Sequence, residues 1–194
     1  MPDASVVQVA MMRHARTLWN EEGRIQGWLD SPLSHEGCRQ VGAWAESMVG
    51  IPFDLVVCSD LGRARQTAGM LASRLGLSVV ADSRFRERCF GVLEGGPSAL
   101  LAQISPGQRP KDGETLDEVR KRATDGLLAL SEQGAGRILL VSHQGVLQCV
   151  LGYLAGAAHP LYEGRLLKSR RLHWVGVKGA VVGVVKLNGR MRPE

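Results

Sequence analysis

The chain has 194 residues, 44% of them hydrophobic and 22% charged, a balance that gives one domain over residues 1–194 with a core of its own and excludes disordered, fibrous and collagen-like classes. Its net charge of +5 suits an anionic small molecule as well as nucleic acid, but the bases are scattered without an aromatic-interleaved stripe, so no nucleic-acid partner is expected. No apolar run approaches the roughly 20 residues of a membrane helix, and the first residues lack the basic-then-apolar plan of a signal peptide, so the expectation is a cytoplasmic protein without a membrane partner.

Six of the seven residues from Val6 to Met12 are apolar, and the run ends abruptly in Arg13-His14. That pattern predicts a strand covered on both faces, delivering two polar side chains to a sheet edge. Gly23 to Gly37 is rich in Gly, Pro and Asp and predicts a loop. Ser34 can cap a helix running to about Val49, with Val41, Ala45 and Met48 on its apolar face and Pro52 beyond its end. Asp54 to Ser59 is a second buried strand, followed by Arg63 at the start of a helix that reaches about Leu75. Leu77 to Ala81 is a short third strand, and Arg84 to Gly96 an irregular segment with Glu87 among arginines. Pro97 to Gly113 is a connection with room for one helical turn. Thr115 or Asp112 can cap a helix from Leu116 to about Gly134. Arg137 to Ser142 is another buried strand and again ends in a histidine, His143, before a helix from Gly145 to Ala155. His173–Lys178 and Val181–Leu187 complete the chain as a terminal hairpin or edge strands. This alternation predicts an α/β fold, a three-layer sandwich whose mostly parallel central sheet carries helices on both faces.

Ligands bind at the carboxyl ends of strands in such sheets. Three of those ends deliver Arg13 with His14, Arg63, and His143, and the irregular segment adds Glu87. Arginine is the bidentate reader of phosphate, and a neutral imidazole is a nucleophile. His35, His159 and His173 end no apolar strand and are expected to be structural or solvated. Arg65, Arg84, Arg86 and Arg88 are expected to be solvated charges or ion pairs. The four cysteines are spread without a C-x-x-C pair, which predicts free thiols filling the core rather than a disulfide or zinc framework. Cys58 and Arg63 come within one residue of a Cys-x5-Arg phosphate cradle, which makes a cysteine phosphatase the mechanistic rival.

The order Arg13-His14-Ala15 with Thr17, Trp19 and Asn20, then Gln26-Gly27-Trp28 through Leu33, Ser59 to Ala64, Glu87 with Phe90-Gly91 and Glu94-Gly95, Asp112 to Thr115, and Val141 to Gly145 resembles the histidine phosphatase superfamily, also called phosphoglycerate-mutase-like. The resemblance covers essentially the whole chain and implies that family's fold. It also implies a metal-independent and cofactor-free phosphoryl transfer in which His14 becomes a phosphohistidine, Glu87 is acid and base, and Arg13, Asn20, Arg63 and His143 clamp the phosphate. Substrate contacts fall to Thr17, Asn20, Gln26, Gly27 and Trp28, with Trp19 a further pocket-wall candidate. A small phosphorylated metabolite is the implied partner, and a homodimer is left open.

Ala15 and Arg16 stand where that family usually carries Gly-Glu, adding a methyl expected against the phosphate loop and a positive charge suited to a second anionic group. The Ser-His-Gln-Gly-Val-Leu block around Gln144 is similar to that of α-ribazole phosphatases. Mutases of this family have a longer insertion than Gly96–Lys111 and a longer tail than Asn188–Glu194. The resemblance therefore favours a phosphatase. A phosphoglycerate mutase and a non-catalytic phospho-ligand or nucleic-acid binder are the alternatives.

Overall fold

The first strand, β1 (Val7–Arg13), is buried on both faces because its apolar side chains alternate into two separate cores: Val9 and Met11 enter one, Ala10 and Met12 the other. The computed structural model describes residues 6–105, 108–132, 136–154, 172–179 and 181–189. Within them the order continues as α1 (Leu18–Glu21), α2 (His35–Met48), β2 (Leu55–Cys58), α3 (Gly62–Leu75), β3 (Val79–Ala81), α4 (Leu116–Leu130), β4 (Arg137–Ser142), α5 (Gln144–Leu154), β5 (Leu172–Lys178) and β6 (Val181–Gly189).

The six strands form one sheet in the order β3-β2-β4-β1-β5-β6. The first four are parallel to one another; β5 runs antiparallel to β1, and β6 antiparallel to β5. The expected hairpin is therefore present, with its first strand inside the sheet rather than at its edge. One face of the sheet packs on α4 and α5 through Val57, Ile138, Leu140, Leu127 and Val150; the other packs on α2 and α3 through Val56, Leu139, Trp44, Met48 and Leu71. Each such fully buried Val, Leu, Ile or Met side chain contributes about 1.5–3 kcal/mol relative to exposure.

Two of the long helices, α2 and α4, begin where the sequence provides caps. Ser34 Oγ accepts the Gly37 N–H, and Thr115 with Glu118 forms a reciprocal capping box at α4. The helix α1 was not visible in hydrophobic periodicity because it is a single turn. It is made instead by Thr17 and Asn20, which cap each other. The connection after Pro97 holds one short 3-10 stretch, Ser98–Gln103. No helix of the described residues is long and apolar enough to cross a membrane.

Candidate active site

Parallel pairing of β1 with β4 places Arg13 opposite Ser142, so the next residue of each strand, His14 and His143, leaves the sheet at the same point. Their ring centroids are 5.1 Å apart and both side chains are buried. The neighbouring strand β2 ends level with Val141 and hands the chain to α3, which carries Arg63 in its first turn. A cleft of about 320 Å³ opens over these ends. Its lining includes Arg13, His14, Asn20, Gln26, Arg63 and Glu87.

The His14 ring has a defined tautomer. Its Nδ1 lies 2.7 Å from the Ala15 carbonyl oxygen, which only accepts, so Nδ1 carries the hydrogen and Nε2 keeps its lone pair. Burial, and then the Arg13 and Arg63 guanidinia, hold the imidazole well below the usual histidine range. His14 is thus neutral at neutral pH and has a nucleophilic nitrogen. His143 is pushed down in the same way, by burial first and then by Arg63.

Arg63 is 1% exposed and is fixed by Asp30 and by the carbonyls of Leu29 and Gly27, at 3.1, 2.9 and 2.8 Å. Asp30 also accepts the backbone N–H groups of Gly62 and Arg63. The Arg63 Nε, both ring nitrogens of His143 and Gln26 Oε1 are buried without a protein partner. Buried polar atoms are seldom left unpaired, and two of these four, the Arg63 Nε–H and the single N–H of the neutral His143 ring, are donors suited to an oxyanion. Arg13 donates to Gln144 Oε1 at 2.8 Å, which aims its fork. Asn20 uses Oδ1 to accept the Thr17 N–H at 3.2 Å, leaving its amide nitrogen for the cleft. A second cleft of about 230 Å³ adjoins the first and is lined by Arg13, His14, Arg16, Asn20 and Gln40.

Glu87 lines the same cleft. Its carboxylate accepts the Arg88 N–H at 2.8 Å and the Gly145 N–H, at the start of α5, at 3.2 Å. The loop around Gly27 is held by Glu94, which accepts from the backbone of Trp28, Leu29 and Phe90. Gly27 has φ of +56°, and a Cβ there would lie 2.1 Å from a Glu94 carboxylate oxygen, so a larger residue strains the backbone and displaces the carboxylate that holds the loop.

Of the sequence-predicted residues, the structure brings Arg13, His14, Asn20, Gln26, Gly27, Arg63 and Glu87 to one cleft and packs His143 against His14. Thr17 and Trp28 do not line it. Thr17 is buried as the cap of α1, and Trp28 donates its Nε1–H to the Glu87 carbonyl at 2.8 Å. Trp19 lies under the Arg24 guanidinium instead of in the pocket wall. The Ala15 methyl packs in the core with Leu33 and Ala64 rather than against phosphate.

Arg84 and Arg86 pair with Asp82 and Asp60 as expected, but Arg88 is buried and donates to the carbonyls of Glu114 and Gln108. His35 is exposed and His173 is buried in β5, while His159 lies outside the described residues. All four cysteines are free. The Cys58 thiol is pushed up to about 11 by burial, so it is not the thiolate that a cysteine phosphatase requires. Sequence reasoning missed Glu94, Arg122 and the anchoring part of Gln144. Glu94 belongs to a quoted Glu-Gly pair, but nothing in the spacing of Arg122 ties it to the loop it holds.

Residues 9–188 match the model of the histidine phosphatase superfamily (branch 1). Among curated proteins, the chain is 38% identical over 177 residues to a protein of Klebsiella pneumoniae named probable phosphoglycerate mutase GpmB, covering 85% of this chain and 81% of that one. Among solved structures it is similar to the α-ribazole phosphatase of Shigella flexneri, with 27% identity, a TM-score of 0.81 and coverage of 97% and 99%. It is also similar to the mycobacterial glucosyl-3-phosphoglycerate phosphatase in complex with VO3, with 25% identity, a TM-score of 0.80 and coverage of 94% and 99%. Two histidines from adjacent parallel strand ends, with an arginine beside each and a family match over nearly the whole chain, lead to one conclusion: the protein belongs to the histidine phosphatase superfamily.

Proposed function

We propose that the protein is a metal-independent phosphatase that hydrolyses a small phosphate monoester through a phosphohistidine on His14. The observation that carries this reading is the state of His14: buried, neutral and locked by the Ala15 carbonyl into the tautomer that exposes Nε2. In the first step Nε2 attacks phosphorus, the P–N bond forms, the ester P–O bond breaks, and the Glu87 carboxyl gives its proton to the leaving alkoxide. In the second, Glu87 takes a proton from water as that water attacks phosphorus, and cleavage of the P–N bond returns His14 and inorganic phosphate. Arg13, Arg63, His143 and the Asn20 amide are the donors assigned to the equatorial oxygens, whose charge grows in the transition state. The cleft, about 320 Å³ and walled in part by Ile25, Phe90 and Leu101, suits a metabolite-sized alcohol with some carbon surface.

The test is hydrolysis of p-nitrophenyl phosphate and a panel of small phosphate esters in excess chelator, wild type against His14→Ala. Turnover in the wild type and none in a folded His14→Ala variant supports the reading; retained turnover points to another nucleophile. The names of the curated relatives favour a second reading, a phosphoglycerate mutase. It is separated by exchange between 2- and 3-phosphoglycerate, which a mutase performs faster than it releases phosphate.

A further inference from the structure

Glu87 stands on backbone that belongs to neither helix nor strand, yet a proton donor has to be placed to within a fraction of an ångström. The segment from Arg84 to Cys89 cannot satisfy its own carbonyls, and buried carbonyls need donors. Arg122, on α4 and outside the cleft, supplies them. Its Nη1 donates to the Arg84 and Arg86 carbonyls at 2.8 and 2.6 Å, and its Nη2 to the Glu87 carbonyl at 2.9 Å. Nε and Nη2 also form a fork on Glu114, both at 2.9 Å, and Glu114 in turn accepts the Cys89 N–H at 2.9 Å.

An ordinary ion pair would account for the Glu114 contacts alone. Three carbonyls gathered by one guanidinium are a different matter: only a planar five-donor group can serve them together with a carboxylate. The Glu87 carbonyl has a second donor in Trp28 Nε1, at 2.8 Å. Its backbone is therefore fixed from α4 and from the Trp28 loop, while its carboxylate is fixed by the Arg88 and Gly145 N–H groups.

We propose that Arg122 is a positioning residue, holding the Glu87 carboxyl on the line of the leaving oxygen through its grip on the Arg84, Arg86 and Glu87 carbonyls. This rests on the acid role given to Glu87 above. An alkoxide leaves only with a proton, whereas 2,4-dinitrophenolate leaves without one. The ratio of kcat/KM for propyl phosphate to that for 2,4-dinitrophenyl phosphate therefore reports how well the acid is placed, and a merely structural defect lowers both values together.

The measurement is this ratio in the wild type, Glu87→Gln, Arg122→Lys, Arg122→Gln and Trp28→Phe. Arg122→Lys keeps a cation beside Glu114 but loses the fork. Its ratio is expected to fall by about 10²-fold, the effect of an acid misplaced by about 1 Å. Trp28→Phe removes the second donor from a side chain that is 40% exposed and should lower the ratio severalfold with the fold intact. Arg122→Gln, which keeps one amide donor group and loses the fork, is read in the same way as Arg122→Lys and decides the matter if Arg122→Lys does not fold. A ratio unchanged in the folded variants while Glu87→Gln lowers it overturns the positioning role and leaves the acid role standing. A ratio that Glu87→Gln does not lower overturns the acid role, and the inference with it.

Discussion

Gly145 is the second residue of α5, and a Cβ built on it lies 2.3 Å from Glu87 Oε1 and 3.2 Å from the carboxyl carbon. Ordinary contact begins near 3.4 Å, so Gly145→Ala drives the carboxylate back by about 1 Å. The atom that must move is the far end of a flexible side chain, so the backbone has little reason to shift. A displacement of about 1 Å from a productive geometry costs about 10²-fold in rate, or about 2.7 kcal/mol of barrier. Stability responds differently. Gly145 has no left-handed φ, and alanine in a helix gains about 0.5–1 kcal/mol over glycine. The Gly145 N–H to Glu87 bond that is lost was worth about 0.5–1.5 kcal/mol. The two nearly cancel, so the melting temperature should stay within about 4 °C. The check is kcat/KM on propyl phosphate beside a thermal melt. Activity within threefold of wild type would refute the claim that the Glu87 carboxylate must occupy this spot; a fall of many degrees would show that the helix had moved instead.

Acid sensitivity follows from the buried histidines. Burial pushes His173 down to about 4, and His14 and His143 are lowered as well. The unfolded chain therefore binds more protons than the fold below about pH 6.5. The stabilisation is present above that value and is lost as the pH falls toward the folded values. At pH 5.5, above the range where free carboxylates protonate, His173 alone costs about 1.4 kcal/mol relative to pH 7.5. Urea unfolding at the two pH values measures the difference, and equal midpoints would contradict it. The Cys58 thiol, at about 11 and within the core, should resist alkylation at pH 8, and Cys58→Ala should keep its turnover. Inactivation traced by mass spectrometry to Cys58 would restore the cysteine mechanism.

The parts of this architecture legible in the sequence are those set by local pattern. The runs before Arg13-His14 and before His143 were visible as strands because both faces of a parallel sheet are covered, and the paired histidines followed from where those runs stop. Ser34 and Thr115 announced their helices through side-chain chemistry. What stayed hidden depends on contacts remote in sequence. Trp28 looked like a pocket wall, but its indole nitrogen meets a carbonyl 59 positions away. Arg88, one of three arginines around Glu87, reads as a solvated charge, but the loop that precedes α4 supplies the Gln108 and Glu114 carbonyls for it to bond. Thr17 was assigned to substrate, yet the same hydroxyl is more useful closing a single turn that carries Asn20 to the cleft. In each case the residue type was informative and its partner was not.

The electrostatics of the cleft fit an anionic substrate better than an empty site. Arg13 and Arg63 repel a proton from His14, and Arg16 adds to the strain on Arg13. Glu87, Asp30 and Glu94 are the carboxylates that oppose them. Like charges held together in a half-buried cleft raise the free energy of the empty state, and a phosphate dianion relieves that repulsion on binding. In the proposed mechanism the same dianion, once bound, favours protonation of His14, which would remove the lone pair assigned to the attack. The depressed proton affinity of the free imidazole is the reserve that keeps Nε2 unprotonated at that moment. The Ala15 carbonyl completes the arrangement: it accepts only from Nδ1–H, so the single proton of the ring has one place to be.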